Sequence, residues 1–136
     1  MPNLVKNKDI CNDDAEYTEK QKAMFKKLIP ESNLTQIQNY VNEILKARGL
    51  SSQHIQSRML LLTEEVGELA KSIRKILPNS FVDKERLENY DTVENEIADV
   101  FIVLISIANQ LQIDLFSAFV EKERKNINRK WQINES

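Results

Sequence analysis

Chain breakers are scarce in this sequence: 136 residues hold two glycines and three prolines. A sandwich or barrel of many short strands needs turn residues at every reversal, so the scarcity favours a few long helices. Apolar residues recur at helical spacing through most of the chain. From Asp13 or Asp14 an amphipathic segment runs to Leu28, with Tyr17, Met24, Phe25 and Leu28 on one side, and Pro30 ends it. Asn33 then caps a helix carrying Leu34, Ile37, Val41, Ile44 and Ala47, which Gly49 closes. Ser51 or Ser52 caps a longer helix that runs to about Leu77 and stops at Pro78, with an apolar arc of Met59, Leu62, Val66, Leu69, Ile73, Ile76 and Leu77. A polar connection from Asn79 to Tyr90 follows. Asp91 and Glu94 form a capping box for a helix through Leu111, and Asp114 caps a last one from Leu115 to about Trp131. The expected architecture is all-α: an N-terminal extension over residues 1–31, a tail to about residue 12 plus a short helix, and a four-helix bundle over residues 32–132.

Several function classes drop out. A net charge of −2 argues against a general nucleic-acid binder, whose phosphate-tracking surface needs a basic excess. Cys11 is the only cysteine, so no intrachain disulfide can form, and the expected setting is cytoplasmic. The charged N-terminus has no signal-peptide pattern. The longest apolar stretch, Val100 to Ala108 interrupted by Ser106, is far short of the ~20 residues that span a bilayer. With His54 the only histidine, His-rich zinc or di-iron sites are excluded, and carboxylates remain as the metal-binding set.

Those carboxylates fall in a pattern. The long central helix contains Glu64-Glu65-Val66-Gly67-Glu68, and the next contains Glu96-Ile97-Ala98-Asp99. Residues three apart lie about 60° apart on a helix, so Glu65 with Glu68, and Glu96 with Asp99, each present oxygens from one face. Two such pairs facing each other would make a four-carboxylate cage suited to Mg²⁺ or Mn²⁺, with Glu64 as an outer ligand or second-layer acceptor. Glu96 and Asp99 also project along a stripe that becomes core one turn later, at Val100, Val103 and Ile107. Partly buried carboxylates need compensation, and two readings stay open on these grounds: a metal, or Lys and Arg partners from another helix.

Together these residues resemble the signature of the MazG-type, all-α nucleoside triphosphate pyrophosphohydrolases. Leu62-Thr63-Glu64-Glu65-Val66-Gly67-Glu68-Leu69-Ala70 is similar to that family's second helix. Glu96-Ile97-Ala98-Asp99-Val100 is similar to its third, and Lys122-x-x-x-Asn126-x-x-Arg129-x-Trp131 to its closing one. The resemblance covers about residues 34 to 131. It implies Mg²⁺, with Mn²⁺ as a substitute, bound by Glu65, Glu68, Glu96 and Asp99, and Glu64 matches the remaining acid of the catalytic motif. It further implies nucleotide contacts from Lys122, Asn126 and Arg129, and a homodimer or homotetramer whose sites can borrow residues across the interface. The implied activity is hydrolysis of NTPs or dNTPs to monophosphate and pyrophosphate, as nucleotide-pool housekeeping. The chemistry fits independently: a metal neutralises triphosphate oxygens and activates water, and a free carboxylate orients that water as general base.

Rivals stay in view. Lys122, Asn126 and Arg129 share one stripe, which also reads as a solvated basic face laced by pairs such as Glu121 with Lys125. Trp131, Ile127, Val120 and Phe116 lie on a different face and read as core or interface. Within the superfamily, a dCTP- or dUTP-selective pyrophosphatase or a phosphoribosyl-ATP pyrophosphohydrolase would use the same acids, although the 79–91 connection and the extra N-terminal segment are unlike the compact phosphoribosyl-ATP enzyme. A ferritin-like di-iron bundle would need Glu-x-x-His, which this chain lacks. A non-catalytic helical interaction module would show no metal binding.

Overall fold

A computed structural model describes residues 10–85 and 91–135, the first five of them by backbone alone. Among the described residues there are five helices and no strand: α1 (Ile10–Phe25), α2 (Leu34–Ala47), α3 (Ile55–Ile76), α4 (Val93–Gln110) and α5 (Leu115–Asn126). The all-α class is as expected. Residues 1–9 of the tail expected to about residue 12, and the last part of the 79–90 connection, lie outside the described residues; α1 begins at Ile10, ahead of the expected start at Asp13 or Asp14. The chain divides into two compact units, Met1–Gln53 and His54–Ser136. Among the described residues no single helix is long and apolar enough to cross a membrane.

In the first unit α1 packs along α2. α1 ends at Phe25 rather than Leu28 because its last turn tightens: Lys27 and Leu28 donate to carbonyls three residues back, at 3.1 and 3.0 Å. Arg48 Nε donates to Gln21 Oε1 at 2.9 Å, tying the end of α2 to α1. α2 starts where its cap chemistry says it should. Asn33 Oδ1 accepts from Gln36 N at 2.8 Å while Gln36 Oε1 accepts from Asn33 N at 2.7 Å, a reciprocal capping box. It ends with Gly49 at φ 70° and Leu50 N donating to Leu45 O at 2.9 Å, so the one left-handed residue falls on glycine.

The second unit carries three helices, and two of its caps differ from expectation. α3 is preceded by His54, not Ser51 or Ser52: both serines sit in a turn ahead of it, and His54 holds the N-cap position without a side-chain bond. α4 is capped by Thr92, whose Oγ1 accepts from Asn95 N at 3.2 Å. Asp91, one residue too early for the cap, instead accepts from Thr92 N at 2.8 Å and Asn95 Nδ2 at 2.6 Å. Those two hydrogen bonds, Asn95 foremost, hold the Asp91 carboxyl below its usual range. α4 closes with Gln112 at φ 57° and Ile113 N donating to Ala108 O at 2.8 Å. Asp114 then caps α5 as expected, accepting from the backbone N and the hydroxyl of Ser117. α5 leaves α4 at 99° and buries none of its residues. It stops at Asn126, not Trp131. Asn128 turns its side chain back to Arg124 O, and Ile127 and Trp131 are exposed, so no packing holds further turns in place.

α3 and α4 pack along each other, and here the burial departs furthest from the sequence reading. On α3 the buried residues are Arg58 and Ser72, with Glu65 half-buried between them. Members of the expected apolar arc are open instead: Met59 and Val66 are each 49 % exposed and Ile76 67 %. α4 buries Val103, Ile105, Ile107 and Ala108, yet Ile97, Phe101 and Leu104 remain exposed. Phe116, Ile127 and Trp131, also read as core or interface, are all exposed and so are not core of this protomer. α3 therefore turns a polar stripe inward, and both packed helices keep apolar residues uncovered.

Candidate metal centre

The inward stripe of α3 repeats every seven residues, Arg58, Glu65 and Ser72, the spacing that keeps side chains on one seam of a packed helix pair. Seven residues back from Ser106, the residue that faces Arg58 across α4, stands Asp99. The antiparallel run of the two helices thus brings Glu65 opposite Asp99. Glu96, one turn before Asp99, closes the group. One carboxylate oxygen from each of Glu65, Glu96 and Asp99 lies within 4.8 Å of the others.

Glu96 is buried, at 7 % exposure, while Asp99 is exposed and Glu65 intermediate. Among the described residues none of the three forms an ion pair. Their electrostatics shows the strain of that arrangement. Burial pushes the Glu65 carboxyl above its usual range, and the charges of Asp99, Glu64, Glu96 and Glu68 push the same way. Glu96 is raised by burial first, then by Asp91, Asp99 and Glu68, with Lys71 pulling weakly back.

Four carboxylates were expected in the cage; the structure gathers three. Glu68 turns to Lys71, whose Nζ donates to Glu68 Oε1 at 3.0 Å one turn along α3. Glu68 is near enough to raise both Glu65 and Glu96, but its carboxylate takes the cation on its own helix. Glu64 is exposed, beside the cluster.

The donor set fits a hard divalent cation. Octahedral Mg²⁺, with oxygens at about 2.1 Å, sets neighbouring ligands about 3 Å apart and opposite ones about 4.2 Å apart. Three carboxylate oxygens within 4.8 Å of one another are near enough for one such ion to draw them together. No nitrogen or sulfur donor is called for, and Mn²⁺ accepts the same oxygens.

The other expected contacts lie elsewhere. Lys122 is exposed on α5, and Asn126 Nδ2 donates to Glu123 Oε1 at 2.8 Å with its Oδ1 shielded from water and unpartnered. Arg129 lies past the end of α5, so the three-residue stripe expected on one helix is broken. Glu121 pairs with Arg124 at 2.6 Å and Lys125 at 4.0 Å, the laced face that was the alternative for this surface. α5 does not pack along α3 or α4 of its own chain. Sequence reasoning assigned no role to Arg58, although its place seven residues before Glu65 marks it as sharing the acid face.

Comparison with known proteins bears on this geometry. The MazG nucleotide pyrophosphohydrolase domain matches residues 53–133, which takes in all three helices of the second unit. A Bacillus subtilis (strain 168) protein described as "Uncharacterized protein YpjD" is 40 % identical over 60 residues, 44 % of this chain. The chain spans about half of that relative, 52 % of its length. No solved structure matches.

Proposed function

The chain belongs to the MazG nucleotide pyrophosphohydrolase family, and from that premise we propose that it hydrolyses nucleoside triphosphates, ribo- or deoxyribo-, to monophosphate and pyrophosphate with Mg²⁺. The observation that carries the reading is the convergence of Glu65, Glu96 and Asp99 with none of the three in an ion pair among the described residues. Structural acids at a helix seam are ordinarily paired, because an uncompensated buried carboxylate is costly. Here the compensation is left to a ligand. Glu65, Glu96 and Asp99 would hold the metal, and Glu68, now paired with Lys71, could add its carboxylate. Bound there, Mg²⁺ supplies positive charge to the triphosphate oxygens and lowers the pKa of an attacking water. A cluster oxygen not engaged in coordination, with Glu64 at the edge, orients that water and takes its proton.

We further propose that residues 32–132 act as the functional unit in the cytoplasm, beside the nucleotide pool, and that two or four copies assemble. The exposed apolar residues Met59, Val66, Phe101, Leu104, Phe116 and Phe119 support this, being an uncovered surface on three successive helices. In such an assembly α5 of one copy delivers Lys122, Asn126 and Arg129 to the acids of another. Two cations then face the triphosphate and an amide reads the base or sugar.

A panel of NTPs and dNTPs, incubated with Mg²⁺ or with EDTA and scored for pyrophosphate, tests the activity. We expect pyrophosphate from at least one nucleotide in Mg²⁺ alone. Mg²⁺ binding without turnover of any nucleotide would defeat the proposal.

A further inference from the structure

A buried arginine on α3 bonds a backbone carbonyl on α4, and this pair sits two turns from the acids. Arg58 is 5 % exposed, and its Nη1 donates to Ser106 O at 2.8 Å. At that level α4 presents the buried Val103, Ile105, Ile107 and Ala108. Ser106 leaves room for the guanidinium by folding its own hydroxyl back onto Val103 O at 2.6 Å. We propose that Arg58 is a positioning residue: its bond to the Ser106 carbonyl sets the register of α3 against α4 and thereby the spacing of Glu65 from Glu96 and Asp99.

Apolar and charged contacts differ in how much sliding they tolerate. Val, Ile and Ala side chains at a helix seam keep most of their burial when two helices slide by an ångström or so. A buried guanidinium does not, because stretching a hydrogen bond it makes there leaves an N–H unsatisfied in an apolar layer. Such a group adds little net stability over an apolar residue of the same shape, and its best-attested use is to specify register. The requirement it serves is close by. From Arg58 to Glu65 is two helical turns, about 10.5 Å at 1.5 Å per residue, on a stiff helix. Any shift at the pin is therefore carried undiminished to the carboxylate. Mg²⁺ tolerates little error in its octahedron, and sites of this kind need placement to about 0.5 Å. At the far end of the same stripe Ser72 is 2 % exposed and, among the described residues, bonds only its own helix, Oγ to Leu69 O at 3.2 Å. The register bond thus lies at the Arg58 end, and the acids lie between.

This inference deepens the metal-site reading above, so its test separates the two. Nitroxide labels at Arg74→Cys and Glu94→Cys, in a Cys11→Ser background and diluted with unlabelled protein, report the α3–α4 spacing within one chain without metal. Mg²⁺ affinity is measured in parallel by calorimetry. In Arg58→Met, which keeps length and apolar bulk, we expect the label distance to shift or broaden and the Mg²⁺ Kd to rise by about 10- to 100-fold, the range for residues that orient metal ligands. Arg58→Lys, with a single donor nitrogen in place of the fork, should fall between and is the variant to read if Arg58→Met does not fold. An unchanged label distance in both variants would overturn the proposal. So would a changed distance with wild-type Mg²⁺ affinity, because a merely structural arginine moves stability and not the Kd of the folded protein. If the Arg58 protein itself binds no Mg²⁺ while the distance still responds, the register role stands and the metal-site reading falls.

Discussion

Replacing Asp99 by Asn removes one charge from the cluster and leaves its shape. Asp99 and Glu65 bring carboxylate oxygens within 4.8 Å of each other. Two unit charges at that distance repel by about 1 kcal/mol under water-like screening, the fitting limit for an exposed residue. The metal-free variant should therefore be more stable than wild type by about that amount. For 136 residues, unfolding entropy of about 2.1 cal/mol/K per residue converts 1 kcal/mol to about 3–4 °C in Tm. Mg²⁺ at a hundredfold excess over its Kd adds about 2.7 kcal/mol to whatever binds it, or about 9 °C for wild type on the same conversion. The variant should gain little of this, and its activity should fall by orders of magnitude. Calorimetric melts of both proteins, in EDTA and in Mg²⁺ at one fixed protein concentration, read all four values. A variant that melts 10 °C or more below wild type in EDTA, the result of stranding a buried cation at a cost of about 3–5 kcal/mol, would refute the reasoning.

Three further outcomes follow from particular residues. Gln112 holds the left-handed position that ends α4, at φ 57°, so Gln112→Gly should stabilise the chain by about 0.5–1 kcal/mol, the steric cost less glycine's entropy; a lower urea midpoint would contradict this. Because Glu65 and Glu96 titrate above their ordinary value of 4.5 in the folded chain, the folded state holds more protons than the unfolded one just above that pH. Metal-free stability should then fall as pH rises through their raised values, and a Glu65→Gln, Glu96→Gln double variant should lose that part of the slope. Sedimentation equilibrium at micromolar concentration should show a dimer or tetramer; a fully active monomer of 15.8 kDa would contradict the assembly proposal.

How far the sequence reaches is visible residue by residue. The Asn33 cap, the Gly49 stop and the Asp114 cap were legible because each is local chemistry between residues within a few positions. That Glu96 and Asp99 share one face of α4 was legible too, since three-residue spacing fixes a helix face. What the sequence hid is which face of α3 turns toward α4. Hydrophobicity pointed to Met59, Val66 and Ile76, but the chain buries Arg58 and Ser72 and leaves those three exposed. A wheel shows that a face is apolar and is silent on whether its partner is the same chain. The extent of α5 was misread for a related reason: helical spacing continues to Trp131, yet with no buried residue to anchor it the helix ends at two asparagines. Glu68's choice of Lys71 over the cluster rests on side-chain conformation, which spacing does not carry.

The central claim concerns which bond breaks, and the most direct measurement is ³¹P NMR of the products after turnover in H₂¹⁸O with Mg²⁺ and the best nucleotide of the panel. The account predicts nucleoside monophosphate and pyrophosphate in equal amounts, one ¹⁸O in one of the two, and none of either product in EDTA. Orthophosphate as the primary product, carrying the label, would contradict it and make the acid cluster the site of an ordinary phosphatase.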